Sequence, residues 1–355
     1  MIRRVMAADL PTPALLVDEE IFEANIAAAS ALLRGTAKTL RPHVKTHRTP
    51  ALARRQLAEA VIGVTCATVG EMEVMADAGI TDLLLANEVA STDKVQRIAA
   101  LARRARVTVA VDDLAQIDAL SAAAQAFSVH LDVLVDVDVG LRRCGLTGER
   151  QLLEAAAAVE RMPALRLAGI MGYEGRLRAS LPDRHEKAKS VFRTLAEVCR
   201  LLAVAGYGVD VVSGAGTSTL LEAVADPTIT EIQAGTYALM EPDLEGLHLP
   251  FRCAVAVAAT VISRSGCRAV VDAGRKTLGC EYGLPLTIEE GRVAVSISEE
   301  HTVFEWPGTP PPLGTIVLLR PSQVRTTFNL HDRAWVVGRD ASIREVAVEA
   351  RGRSQ

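Results

Sequence analysis

In this chain of 355 residues hydrophobic side chains make up 49% but aromatics only 3%, so any core must be built from Ala, Val, Leu and Ile. That suits helices packed on parallel strands better than a sandwich, and the length accommodates one large barrel plus a smaller domain. The 39 basic and 43 acidic residues leave a net charge of −4 with no basic block, which argues against nucleic acid or a membrane surface as partner. The six cysteines are scattered without a CxxC pair and read as free thiols of a reducing compartment. No apolar stretch approaches the ~18 residues of a spanning helix, and Asp9 and Pro11 interrupt the N-terminal apolar run too early for a signal peptide. A cytoplasmic, enzyme-sized protein is expected.

In chain order, Pro13–Val17 reads as a short strand, and Asp18 as the N-cap of a helix running to about Leu33. Thr39–Val44 reads as a strand, with Pro50 opening the next helix. Strands then recur at Ile62–Cys66, Leu83–Asn87, Val107–Val111, Leu131–Val139, Leu165–Tyr173, Val209–Val212 and Ile229–Gln233. Helical stretches lie between them, including one capped by Ser91 and a long one within His185–Ala205. Eight βα units over about 200 residues predict a TIM (β/α)8 barrel, α/β in class. After about Met240 the text changes: Cys253–Ser263, Ala269–Asp272, Val293–Ile297, Thr315–Leu319 and Ala334–Val337 read as strands without intervening helices. A C-terminal antiparallel β domain is expected there. The boundaries place the barrel at 16–242, and the β domain at 1–15 and 243–355.

A TIM barrel carries its active site at the carboxyl ends of its strands. There this chain sets Lys45, Thr65-Cys66, Asn87, Asp112-Asp113, Arg142-Arg143, Tyr173-Glu174, Ser213 to Thr217 and Gly235 to Tyr237. A lysine on a rigid strand tip, shielded from water, has its charged form disfavoured, which is what an amine needs to condense with an aldehyde. Ser213-Gly-Ala-Gly-Thr-Ser218 lies between a strand and a helix, where free amides and hydroxyls form an anion cradle that glycine lets a phosphate approach. It lacks the third glycine of a dinucleotide fingerprint and the lysine of a P-loop. Gln233-Ala-Gly-Thr-Tyr237 ends the neighbouring strand and completes the cradle, after the seventh and eighth strands where this barrel recurrently binds phosphate. A phosphate cradle and a strand-tip lysine together suggest pyridoxal 5′-phosphate, with Lys45 as its Schiff-base partner.

Several motifs carry a family resemblance: Arg41-Pro-His-x-Lys45-Thr-His, the Thr12-Pro opening, Gly63-Val-Thr-Cys-Ala-Thr-x-Gly-Glu71, Tyr173-Glu-Gly175 and Ser213-Gly-x-Gly-Thr217. Nearly end to end, the chain resembles the D-threonine aldolase and D-serine dehydratase group of alanine-racemase-like, fold-type III pyridoxal-phosphate enzymes. The resemblance implies a cofactor-bearing barrel, a C-terminal β domain and a homodimer. It implies Lys45 as the Schiff-base lysine, with Thr217, Gly235 and Thr236 holding the phosphate, in the cradle to which Ser213, Gly214, Gly216 and Tyr237 are also assigned. Arg143 and Tyr173 are implied at the pyridine ring or its oxygen.

The family pattern also breaks. The relatives resembled here bind a divalent metal, two of whose ligands come from a Pro-x-His-x-(Cys/Asp) segment, and this chain reads Pro321-Ser-Gln323-Val-Arg325. Arginine stays protonated with no lone pair to give, and glutamine is a poor ligand, so no metal is expected at Gln323 and Arg325. A metal would act on the substrate β-hydroxyl; without it, cleavage needs another base, for which His301, His43 and His47 are candidates. Arg325 and Arg176, with Gln323 beside them, are candidates to hold the substrate, the two guanidiniums clamping a carboxylate. The function expected is metal-independent lyase chemistry on a small D-configured β-hydroxy amino acid. The alternatives are a racemase or epimerase, with Tyr282 as a second acid; a D-serine dehydratase-like deaminase; and a non-catalytic pyridoxal-phosphate-binding protein.

Overall fold

Strands and helices alternate through the first two thirds of the chain because short β-branched or leucine runs are each followed by a capped helical segment. The computed structural model describes residues 10–57, 61–175, 177–289, 291–340 and 342–355. In order come β1 (Ala14–Asp18), α1 (Glu19–Leu33), β2 (Thr39–Leu40), α2 (Pro50–Gln56), β3 (Val64–Cys66), α3 (Val69–Asp77), β4 (Asp82–Leu85) and α4 (Thr92–Leu101). There follow β5 (Arg106–Val111), α5 (Leu114–Phe127), β6 (Leu131–Asp136), α6 (Glu149–Arg161), β7 (Leu165–Gly172), α7 (Arg184–Val204), β8 (Val211–Gly214), α8 (Leu220–Ala225) and β9 (Glu231–Ile232). The last part holds β10 (Val255–Ser265), β11 (Arg268–Val271), β12 (Leu286–Thr287), β13 (Ser296–Ile297), β14 (Thr302–Glu305), β15 (Ile316–Arg320), α9 (Val324–Asn329), β16 (Arg333–Val337) and β17 (Ile343–Ala347).

Strands β2 to β9 form an eight-stranded sheet in the order β2-β9-β8-β7-β6-β5-β4-β3, every pairing parallel. Parallel bridges Leu40↔Val61 and His43↔Thr65 join its two ends, closing the expected TIM-type barrel. Its core holds a buried cluster of Leu84, Ala110, Leu134, Ala168 and Met171, all non-aromatic, consistent with the scarcity of aromatics. The helices start on the caps the sequence offers. Thr68 Oγ1 accepts from Glu71 N at 3.1 Å while the Glu71 carboxylate accepts from Ala67 N, and Ser91 and Asp113 cap α4 and α5.

The C-terminal strands form a nine-stranded sheet with β1, ordered β13-β14-β11-β10-β1-β16-β17, β15 pairing with β10 and β12. Its pairings are antiparallel except β1 with β16, which is parallel, so the domain is antiparallel-rich rather than wholly antiparallel. Ala14, Leu16, Ala256, Ala258, Leu318 and Val337 form a buried cluster on it. Two compact units result: residues 1–29, 46–51 and 236–352, and residues 30–45, 52–235 and 353–355. Strand β1 belongs to the first because its backbone hydrogen bonds go to β10 and β16. Among the described residues, no helix is long and apolar enough to cross a membrane.

Candidate active site

In the barrel unit the site starts from Arg41. Its Nε donates to Glu231 Oε2 at 2.8 Å and its Nη1 to Asp82 Oδ1 at 2.5 Å, both side chains of the Arg41–Glu231 pair being about 4% exposed. Glu231 Oε1 accepts from Ser213 Oγ at 2.6 Å, and Gln233 Nε2 donates to the same hydroxyl at 2.9 Å. This buried network ties the end of β2 to β9 and β8 on one side and to the start of β4 on the other, and the chain leaves it through Pro42 into the turn that holds Lys45. The expected strand Thr39–Val44 is shorter than predicted: regular pairing covers Thr39–Leu40, His43 makes one bridge, and Lys45 sits in a 3-10 turn over Val44–Thr46. Pro42 has no amide to continue the ladder, although its carbonyl accepts from Thr65 N at 2.9 Å.

Lys45 Nζ stands over the Tyr173 ring, 5.5 Å from its centroid, and the Arg143 guanidinium lies 5.9 Å from the same centroid. Arg143 rides on the loop after β6, which Leu146 closes by bonding Asp136 O and Asp138 N, and which Gly145 N anchors to Asp112 Oδ2 at 2.9 Å. The hydroxyl end of Tyr173 borders Gly216: a Cβ there would lie 3.5 Å from Tyr173 Cε2 and 3.7 Å from its oxygen, filling the space beside the ring. Gly214 is glycine for a packing reason, since a Cβ would fall 2.4 Å from Gly172 O, and Ala215 takes a left-handed φ of 62° to turn the chain. The helix expected from Thr217 begins as a 3-10 turn, Thr217–Thr219, before the six residues of α8. Any anion there is held by local amides rather than by a long helix dipole. Within this turn Gly216 N donates to Glu174 Oε1 at 2.9 Å, and the Thr219 hydroxyl donates to the same oxygen.

A second group of acids lines the rim. Glu88, Asp112 and Cys144 bring ligand-type atoms within 4.8 Å of one another, and Asp136 is buried beside Glu88. Burial first, then Glu88, pushes the Asp136 carboxyl up to about 8. Burial and the same glutamate push the Cys144 thiol up to about 11. At neutral pH a proton is therefore shared within the group, and Asp112 is satisfied by Gln116 and Gly145.

In the β-domain unit, Gln323 caps α9. Its Oε1 accepts from Thr326 N at 3.1 Å and lies against the Thr326 hydroxyl, which Glu281 Oε1 shares at 2.5 Å, so the carboxamide oxygen is engaged in the cap. Arg325 Nη2 donates to the Tyr282 hydroxyl at 3.0 Å and lies 3.8 Å from Glu241 Oε2, while Glu241 Oε1 accepts from Val324 N at 2.9 Å. A permanent cation and an engaged carboxamide do not fit a divalent metal at this segment. His47 is wholly buried, with Nδ1 accepting from Thr49 N at 3.1 Å and its ring edge-on to Phe328. His301 is exposed in the turn between β13 and β14. Thr236 and Tyr237 lie in a buried 3-10 turn, Tyr237 packing on Phe251. Arg176 lies outside the described residues.

The barrel unit thus brings together Lys45, Tyr173, Arg143 and the Gly216 turn. An amine, a cation, a phenol ring and a glycine-lined gap suit an aldehyde-bearing phosphate cofactor. Ser213, expected at the phosphate, spends its hydroxyl on Glu231 and Gln233 inside the barrel. Glu174, Glu231 and Glu241 went unassigned in the sequence, although Glu174 stood within a quoted motif; their partners lie 18 to 190 positions away.

Comparisons with known proteins place the chain in a family. Residues 17–242 match the model of the alanine racemase N-terminal domain, and residues 254–337 that of a putative serine dehydratase domain. The chain belongs to the alanine-racemase-like family that includes the D-threonine aldolases, a group of lyases. It is 35% identical to a D-threonine aldolase of Arthrobacter sp, over 98% of this chain and 94% of that one. It is 32% identical to the 3-hydroxy-D-aspartate aldolase of Paracoccus denitrificans (strain Pd 1222), over 98% and 93%. The crystal structure of D-threonine aldolase from Filomicrobium marinum superimposes with a TM-score of 0.93 at 36% identity, covering 98% of this chain and 97% of that one.

Proposed function

We propose that this protein is a pyridoxal-5′-phosphate-dependent lyase that cleaves D-configured β-hydroxy amino acids to glycine and an aldehyde, without a divalent metal at the Gln323–Arg325 segment. The observation that carries it is the stack of Lys45 and Arg143 on Tyr173 beside the Gly216 turn. The names of the aldolases it resembles support the substrate class. When bound, the cofactor supplies an electron sink for the bonding pair released at Cα. Lys45 Nζ is the amine that joins it, and Tyr173 fixes the direction from which that amine approaches. Thr217, Gly235 and Thr236 are assigned to its phosphate.

Cleavage breaks the Cα–Cβ bond and needs the β-hydroxyl proton removed. His301 is assigned as that base, with His43, buried two residues before Lys45, as the alternative. Gln323 and Arg325 are assigned to the substrate, Arg325 as the fixed positive charge where relatives carry a metal. A cytoplasmic homodimer is the form in which we expect it to act.

Incubation with D-threonine, D-serine and D-alanine tests this. Glycine plus acetaldehyde is the expected product, undiminished by EDTA. Ammonia would instead mean elimination, and solvent deuterium at Cα with lost chirality would mean racemisation. Turnover of none of the three would favour a binding protein.

A further inference from the structure

Glu174 is a buried acid at the barrel rim to which the proposed chemistry gives no task. It lies two residues past the end of β7, between Tyr173 and Gly175, whose φ is 76°. Its Oε1 collects both the Gly216 amide and the Thr219 hydroxyl, so the two ends of the Thr217–Thr219 turn are tied to one oxygen. Its Oε2 is buried and has no hydrogen-bond partner among the described residues. As a carboxylate the group leaves a charged oxygen without a donor; as a neutral carboxyl it does not. The like charge of Glu222 of α8 reinforces this, Glu222 being itself held by Arg184 and His185 of α7; Lys45 and Arg143, over the neighbouring Tyr173 ring, act the other way as cations.

We propose that Glu174 is a positioning residue of the glycine turn and takes up a proton together with the anion bound there. This rests on the turn being the phosphate site proposed above. Neutral, Glu174 fixes Gly216 and Thr219 without setting a negative charge behind the phosphate. When a dianion binds, a proton passes from solvent to Glu174, and on release it returns. Burial already raises the pKa of Glu174, and a bound dianion raises it further. Binding is therefore tightest where the free protein already holds the proton, weakens as pH rises through that pKa, and levels off above the pKa of the complex.

The test uses the full-length protein freed of cofactor and titrated with 4′-deoxypyridoxine 5′-phosphate. That probe lacks the aldehyde, so imine formation at Lys45 is not read, and Glu174→Gln carries the titration of the probe's own phosphate and ring nitrogen. Between pH 5 and 9 the wild-type Kd is expected to rise about tenfold more than that of Glu174→Gln, the effect of a one-unit pKa increase on binding. Calorimetry in two buffers of different ionisation enthalpy should show the wild type taking up a larger part of a proton than the variant within that range. Equal slopes in both proteins, or equal uptake, overturns the role of Glu174 and leaves the phosphate site standing. Failure to bind the probe at any pH overturns the phosphate site, and this role with it.

Discussion

The barrel rim and the α9 segment of the β domain differ in how they treat the pattern of their family. At the rim, lysine, tyrosine and the glycine turn are all present, and each is braced by residues whose only evident work is support: Arg41 and Glu231 under the lysine strand, Glu174 under the glycine turn. In the β domain the bracing is just as complete, with Glu241, Thr326 and Tyr282 each engaged, but the residues it braces are Gln323 and Arg325. The difference teaches that support is equally complete in both units, while the residues supported follow the family pattern at the rim and depart from it at α9.

The widest contrast is expected from Lys45→Ala, which should lower turnover about 10⁴-fold and abolish the visible absorbance band of the cofactor. A surviving band would break the comparison at its barrel end. Next, Glu231→Gln leaves the Arg41 charge short of a buried partner and should cost about 3–5 kcal/mol in urea unfolding. At the β-domain end, Gln323→His combined with Arg325→Asp should gain about one equivalent of bound divalent metal by elemental analysis, against none expected at that segment in the wild type. Loss of wild-type activity on chelation would show instead that a metal acts elsewhere, with the Glu88, Asp112 and Cys144 group the first place to look.

Asp136 gives a smaller, pH-dependent effect. Its folded pKa of about 8 exceeds its unfolded value, so the folded state holds more protons and stability falls as pH rises from about 4 to about 8. Asp136→Asn should match wild type in Tm at pH 4 and exceed it by about 2 °C or more at pH 8. Thr68→Ala removes the α3 cap and should cost only about 1 kcal/mol.

The barrel was legible because its signals are local. Buried runs such as Val107–Val111 alternate with helices that begin at Ser91 or Asp113, and the caps sit where composition put them. The short strands Leu286–Thr287, Thr302–Glu305 and Ile343–Ala347 were not legible, since two to five residues with mixed exposure carry no periodicity of their own. Helix α9 was missed because its cap is a glutamine, outside the usual set. At the site, Lys45, Arg143 and Tyr173 could be named from their strand ends, yet the carboxylates that hold their neighbours could not. Those pairings join positions such as 41 and 231, which only the closed ring of strands makes adjacent.

The order in which the two compact units share the chain has a practical consequence. The backbone passes from one to the other directly after Lys45 and again after Gly235, and back again near residues 29, 51 and 352. A gene for either unit alone would have to be stitched from separate pieces. Trimming one end will not yield a lone cofactor-binding fragment for crystallisation or evolution experiments.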